Sequence, residues 1–90
     1  MSELSLRQEF AKLIREWRIA RGISQEGFSY RCGISRTYMT HIEGGKKMPS
    51  IDVVARLARG LEIEISAIFL ELEKRGVTVE RITDPPSAKW

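Results

Sequence analysis

Ninety residues, 42% of them apolar and 30% charged, suffice for one compact core and are too few for two domains. No apolar run approaches the ~20 residues of a membrane span, and Met1 to Ser5 lacks the basic opening and apolar stretch of a signal peptide, so a cytoplasmic chain is expected. The net charge of +3 is uneven, with 11 Lys and Arg against 6 Asp and Glu in residues 1–61 but 4 against 6 in residues 62–90, and this favours a polyanion as partner of the front two-thirds.

Leu6, Phe10, Leu13, Ile14 and Trp17 recur at three- and four-residue steps and predict a first helix with one apolar face, closed by Gly22. Arg7, Lys12, Arg15 and Arg18 lie opposite. Ser24 is a good N-cap for a short second helix from Gln25 to about Cys32, which turns Phe28 and Cys32 toward the core. A single cysteine forms no internal disulfide, and with a single histidine, His41, the chain has too few ligands for a zinc site; no cofactor is expected. Gly33 allows a tight turn, and Ser35 caps a third helix running from Arg36 to Glu43 or Gly44. Gly44 to Lys47 then forms an exposed basic loop, which Pro49 keeps from continuing as helix.

Ser50 caps a fourth helix whose apolar stripe is Ile51, Val54, Leu57, Ala58 and Leu61. A fifth begins near Ile65 or Ser66, buries Ile65, Ile68, Phe69 and Leu72, and closes at Lys74-Arg75-Gly76, with Leu70 off its stripe. From Val77 to Ile82 the pattern alternates with a β-like period and reads as a short strand, followed by an extended Asp84-to-Ser87 stretch. The expected division is therefore 1–76 as one helical domain and 77–90 as a strand or tail.

Two short helices joined by about three residues with a glycine at the turn are the pattern of a helix-turn-helix. In that unit the second helix projects its N-terminal half into the major groove, so its exposed face must be polar. Arg36, Thr37, Thr40 and His41 suit such a face, and a long arginine at the first turn reaches the O6 and N7 of a guanine. Met39 and Ile42 belong to the packed side.

The segment from Ile23 to Gly45 resembles the helix-turn-helix of the phage-repressor and Cro-type (XRE-like) family, and the likeness runs from about Leu6 to Leu72. The Ser-Gln-Glu start at 24–26, the Gly-Ile-Ser turn at 33–35 and the Ile-Glu-Gly ending at 42–44 carry it, while Ser35 to Met39 also resembles small controller proteins of restriction-modification systems. The resemblance implies an all-α, five-helix, lambda-repressor-like domain, here with a short C-terminal strand or tail. It implies a transcriptional regulator, repressor-like, found with the nucleoid when bound to double-stranded DNA; no nucleophile–base pair, paired-carboxylate site, metal cluster or phosphate loop is visible in the sequence, so an enzyme is not expected. Carried over residue by residue, the resemblance implies that Gln25 contacts a phosphate and helps orient the recognition helix, and that Arg36, Thr37 and His41 meet base edges. Tyr38 and Thr40 would meet bases or backbone, Lys46 and Lys47 phosphates, and Ser35 would join this surface at the head of the helix. It also implies that Glu43 pairs with Arg18, which charge alone would have assigned to DNA.

Three positions depart from the family pattern. Gly27 stands inside the second helix, at a cost of roughly 1 kcal/mol relative to Ala. Ser29 replaces a favoured Ala, so its hydroxyl needs a nearby carbonyl. Glu62 replaces a common Gly after the fourth helix. Leu70, Val77, Val79 and Ile82 admit two readings: a flap folded on its own domain, or the contact surface of a homodimer, which is favoured because one recognition helix buries little. A further alternative is an antitoxin-type interaction module whose residues 77–90 fold on a protein partner.

Overall fold

The computed structural model describes residues 6–77 as five helices in chain order: α1 (Leu6–Ala20), α2 (Gln25–Cys32), α3 (Arg36–Glu43), α4 (Ile51–Leu61) and α5 (Ile65–Lys74). All-α architecture and helix number agree with the sequence reading. The strand expected from Val77 to Ile82 lies, beyond Val77 itself, outside the described residues, as do Val79 and the tail that follows.

Local chemistry sets the helix starts. Ser24, Ser35 and Ser50 sit in extended conformation, and their hydroxyls accept from the backbone N–H groups of Gly27 (3.0 Å), Tyr38 (3.1 Å) and Val53 (3.3 Å). Each satisfies one of the donors a helix start leaves over, a contribution of about 1 kcal/mol. The bare Gly27 fits this arrangement, since a Cβ there would lie 3.1 Å from the capping hydroxyl of Ser24. Ser29, in place of alanine, turns its hydroxyl back on the carbonyl of Gln25 at 2.8 Å and is buried without an orphaned donor.

Helix α4 ends at Glu62, which takes the left-handed conformation (φ 60°) and lets its N–H close on Ala58 and Arg59. A side chain with a Cβ is strained there. Glu62→Gly is expected to stabilise the fold by about 0.5–1 kcal/mol, read as a raised denaturant midpoint with an unchanged slope.

The core is shared by all five helices, with Phe10, Leu13 and Ile14 of α1 meeting Phe28, Met39, Ile42, Leu57, Leu61 and Ile68. Two expected members are not in it. Ile51 is 64% exposed, because it is the first residue of α4 and the stripe reaches the core only from Val54 onward. Phe69 is 40% exposed, because Ile65, Ile68 and Leu72 take the inward face of α5 and leave its neighbour at the rim.

Helices α2 and α4 cross closely at Gly60. A Cβ there would stand 2.5 Å from Cys32 Sγ and 3.0 Å from Phe28 Cε1, closer than packed atoms tolerate. Gly60→Ala is therefore expected to cost about 2 kcal/mol despite its better helix propensity, visible as a lower thermal midpoint. Burial at this crossing pushes the Cys32 thiol up to about 11, which leaves it protonated and inert as a core hydrophobe. Two arginines tie the same pair of helices end to end. Arg31 of α2 donates to the Gly60 carbonyl (3.2 Å), and Arg56 of α4 donates to the Gly33 carbonyl beyond α2 (3.3 Å).

At the far side, α5 is held to α1 by Arg75. Its three guanidinium nitrogens reach Glu9 (2.9 Å), Glu16 (2.9 Å) and Glu71 (3.0 Å), and Glu9 is thereby buried, at 6% exposure. Val77 follows, its N–H bonded to the Leu72 carbonyl at 3.3 Å and its side chain packed against the core.

Candidate nucleic-acid interface

The turn between α2 and α3 is built by Gly33 in left-handed conformation (φ 69°), where its N–H closes on Ser29 and Tyr30 and that of Ile34 on Ser29. Ile34 then tucks partly against the core and Ser35 starts α3. The turn thus ends one eight-residue helix and begins another within three residues, which gives the helix-turn-helix its compact angle.

Helix α3 has two unlike faces. Met39, Ile42 and Glu43 are buried, whereas Arg36, Thr37 and Thr40 are exposed and His41 is half-buried beside them. The spacing 36, 37, 40, 41 keeps these four on one side of the helix. Tyr38 lies off that face, partly buried against the core, and Ser35 is exposed with its hydroxyl engaged in the cap. Lys46 and Lys47 are exposed on the following loop. The residues that sequence reasoning assigns to one surface are therefore mostly brought together, with Tyr38 as the side chain drawn inward.

A polar network supports the exposed face from behind. Arg18 and Glu43 form a two-pronged ion pair at 2.8 and 3.0 Å, with side chains only 11% and 3% exposed, and Arg18 also donates to the Ile23 carbonyl at 2.8 Å. Gln25 rests on this pair by donating from Nε2 to Glu43 Oε1 at 3.2 Å. Its Oε1 then accepts from Arg36 Nε at 3.4 Å. The Thr40 hydroxyl has one proton, shared between Gln25 Oε1 at 3.2 Å and the Arg36 carbonyl at 3.0 Å. Arg36 also lies 3.7 Å from Glu26, an exposed pairing that contributes little. The chain Arg18–Glu43–Gln25–Arg36 thus runs from the core-facing side of α1 to the tip of α3. The family resemblance names the Arg18–Glu43 pair and an orienting role for Gln25; the bonds that join Gln25 to Glu43 and to Arg36 are seen only in the structure.

Chemically this surface offers a guanidinium, hydroxyls and ammonium groups, the donors that phosphates and base edges accept. Among the described residues, no helix is long and apolar enough to cross a membrane, and no cluster of histidine, cysteine and carboxylate side chains is placed to hold a metal ion.

Comparison with known proteins agrees with this geometry. Residues 9–65, more than half of the chain, match the family model described as the helix-turn-helix domain. The control protein C.MunI of a Mycoplasma species is 36% identical over 52 residues, which are 58% of this chain and 70% of that protein. The solved structure of the restriction-modification controller protein C.AhdI from Aeromonas hydrophila is 34% identical, with a TM-score of 0.66 over 69% of this chain and 94% of that one. The wild-type restriction-modification controller protein C.Esp1396I is 28% identical, with a TM-score of 0.73 over 80% of this chain and 94% of that one. The chain belongs to the helix-turn-helix family.

Proposed function

We propose that this helix-turn-helix chain is a sequence-specific, DNA-binding transcriptional regulator that grips a two-fold symmetric operator as a homodimer, within the cytoplasm. The observation that carries the reading is the exposed polar face of α3, capped by Ser35 and braced through Gln25 to the Arg18–Glu43 pair. Arg36, Thr37 and His41 read base edges, with Thr40 beside them, while Gln25, Tyr38, Lys46 and Lys47 meet the backbone and set the register. The likeness to control proteins of restriction-modification systems supports the regulatory role. The exposed Phe69 and Leu70 on α5 supply an apolar contact for the second copy, and Val77 borders the same helix. In this reading residues 1–76 form the DNA-binding unit, occupancy controls transcription, and dimerisation makes that control steep in protein concentration.

The test is selection from a randomised duplex pool, with salt dependence and stoichiometry recorded. Enrichment of a two-fold symmetric site bound by two chains is expected, with half-sites on the order of 34 Å apart. Weak binding with no enriched site would overturn the reading. Within the same assay, Lys47→Ala should weaken binding to every sequence and flatten the log–log salt slope by about one unit, the signature of one lost phosphate contact.

A further inference from the structure

Helix α1 is clasped by two arginine forks that serve different neighbours. Arg18, on α1 itself, holds Glu43 at the end of α3. Arg75, just past α5, holds Glu9 and Glu16 of α1, which lie two turns apart on one side of that helix, and braces itself on Glu71 one turn back. The DNA-reading helix and the helix with the exposed apolar residues are therefore both referred to α1.

Apolar packing alone constrains α5 weakly. The helix has ten residues, no side-chain bond at its N-cap, and full burial only at Ile68 and Leu72, with Ile65 partly buried on the same face. One apolar strip of this kind resists sliding more than rolling. Arg75 opposes that roll, because a planar guanidinium bridging two carboxylates on different turns fixes both the position and the direction of the helix end. Phe69 and Leu70 lie on the helix so fixed.

We propose that Arg75 is a positioning residue that sets the distance between the two recognition helices of the dimer, and so the half-site spacing the protein accepts. The inference rests on the homodimeric reading given above. Adjacent spacings differ by about 3.4 Å and about 34° of duplex twist, so a roll of α5 against α1 moves one α3 out of register with its partner. Nothing in this role touches DNA.

The test uses two-half-site duplexes whose central spacer is lengthened or shortened by one and two base pairs, bound by the unmutated chain and by Arg75→Lys. Lysine keeps the charge but lacks the rigid planar fork that fixes direction. The unmutated chain should favour one spacing by about tenfold or more, the scale of one wrong base pair. Arg75→Lys should dimerise equally well and bind an isolated half-site within about twofold, while its spacing preference falls to about threefold. A preference as sharp as that of the unmutated chain would overturn the proposal, as would loss of the dimer, which would make Arg75 a clamp of the interface and not its aim. Should Arg75→Lys lose helicity, the profile is read on Glu16→Gln, which removes only the half-exposed arm; an unchanged profile there overturns the proposal equally. If the unmutated chain shows no spacing preference at all, the dimeric reading itself falls, and the failure is seen without any variant.

Discussion

Glu43→Ala is expected to lower stability by about 3 kcal/mol, on the order of 10–20 °C in thermal midpoint for a chain of this size. The cost arises less from the lost attraction than from what remains: the Arg18 guanidinium, 11% exposed, with only the Ile23 carbonyl to answer it. The wider loss is functional. Gln25 loses the acceptor of its Nε2, so the link to Arg36 loosens and operator affinity falls beyond what the residual fold explains. Replacing both partners, Arg18→Met with Glu43→Met, should recover much of the stability because no buried charge is left alone. Operator affinity should stay low. Thermal melts and binding titrations on the single and double variants check both halves, and a Glu43→Ala chain that melts like the parent would remove the pair from any supporting role.

Arg36→Ala carries the second large effect, and here stability is untouched because the side chain is exposed. Loss of a two-pronged contact to a guanine edge costs about 1–3 kcal/mol of binding, roughly 5- to 150-fold in affinity. It also relaxes discrimination at one base pair of each half-site while the others keep theirs. Repeating the selection with the variant shows this directly, as one degenerate column in the enriched site. Uniform weakening at every position would instead make Arg36 a phosphate contact.

The parts of the fold legible in the sequence are those governed by neighbours along the chain. Ser24, Ser35 and Ser50 announce helix starts because a cap bonds a backbone N–H three residues on, and Gly33 announces the turn because its backbone conformation suits a residue without Cβ. The buried face of α3 follows from its period. Long-range polar pairing is different in kind. Arg75 and Glu9 are 66 positions apart, and nothing local marks one charged residue among the 27 of the chain as another's partner. Arg18 and Glu43 were paired only through family resemblance, and the central place of Gln25 emerges only once α1, α2 and α3 are assembled. Phe69 shows a further limit: periodicity identifies the apolar side of α5 but not how far around the helix the core extends.

The reciprocal arginine ties between α2 and α4 bear on how the molecule opens. An isolated helix of eight residues does not persist in water, so α2 owes its existence to what surrounds it. With Phe28 and Cys32 interlocked at Gly60, and each helix capping the other's end through Arg31 and Arg56, fraying of α2 alone would strand groups on α4 as well. The two helices should therefore exchange their amide hydrogens as one cooperative unit, with α2 protected to the level of the longer α4. The scaffold behind the recognition helix then opens only with the domain itself, and the reading surface keeps its shape for as long as the chain is folded.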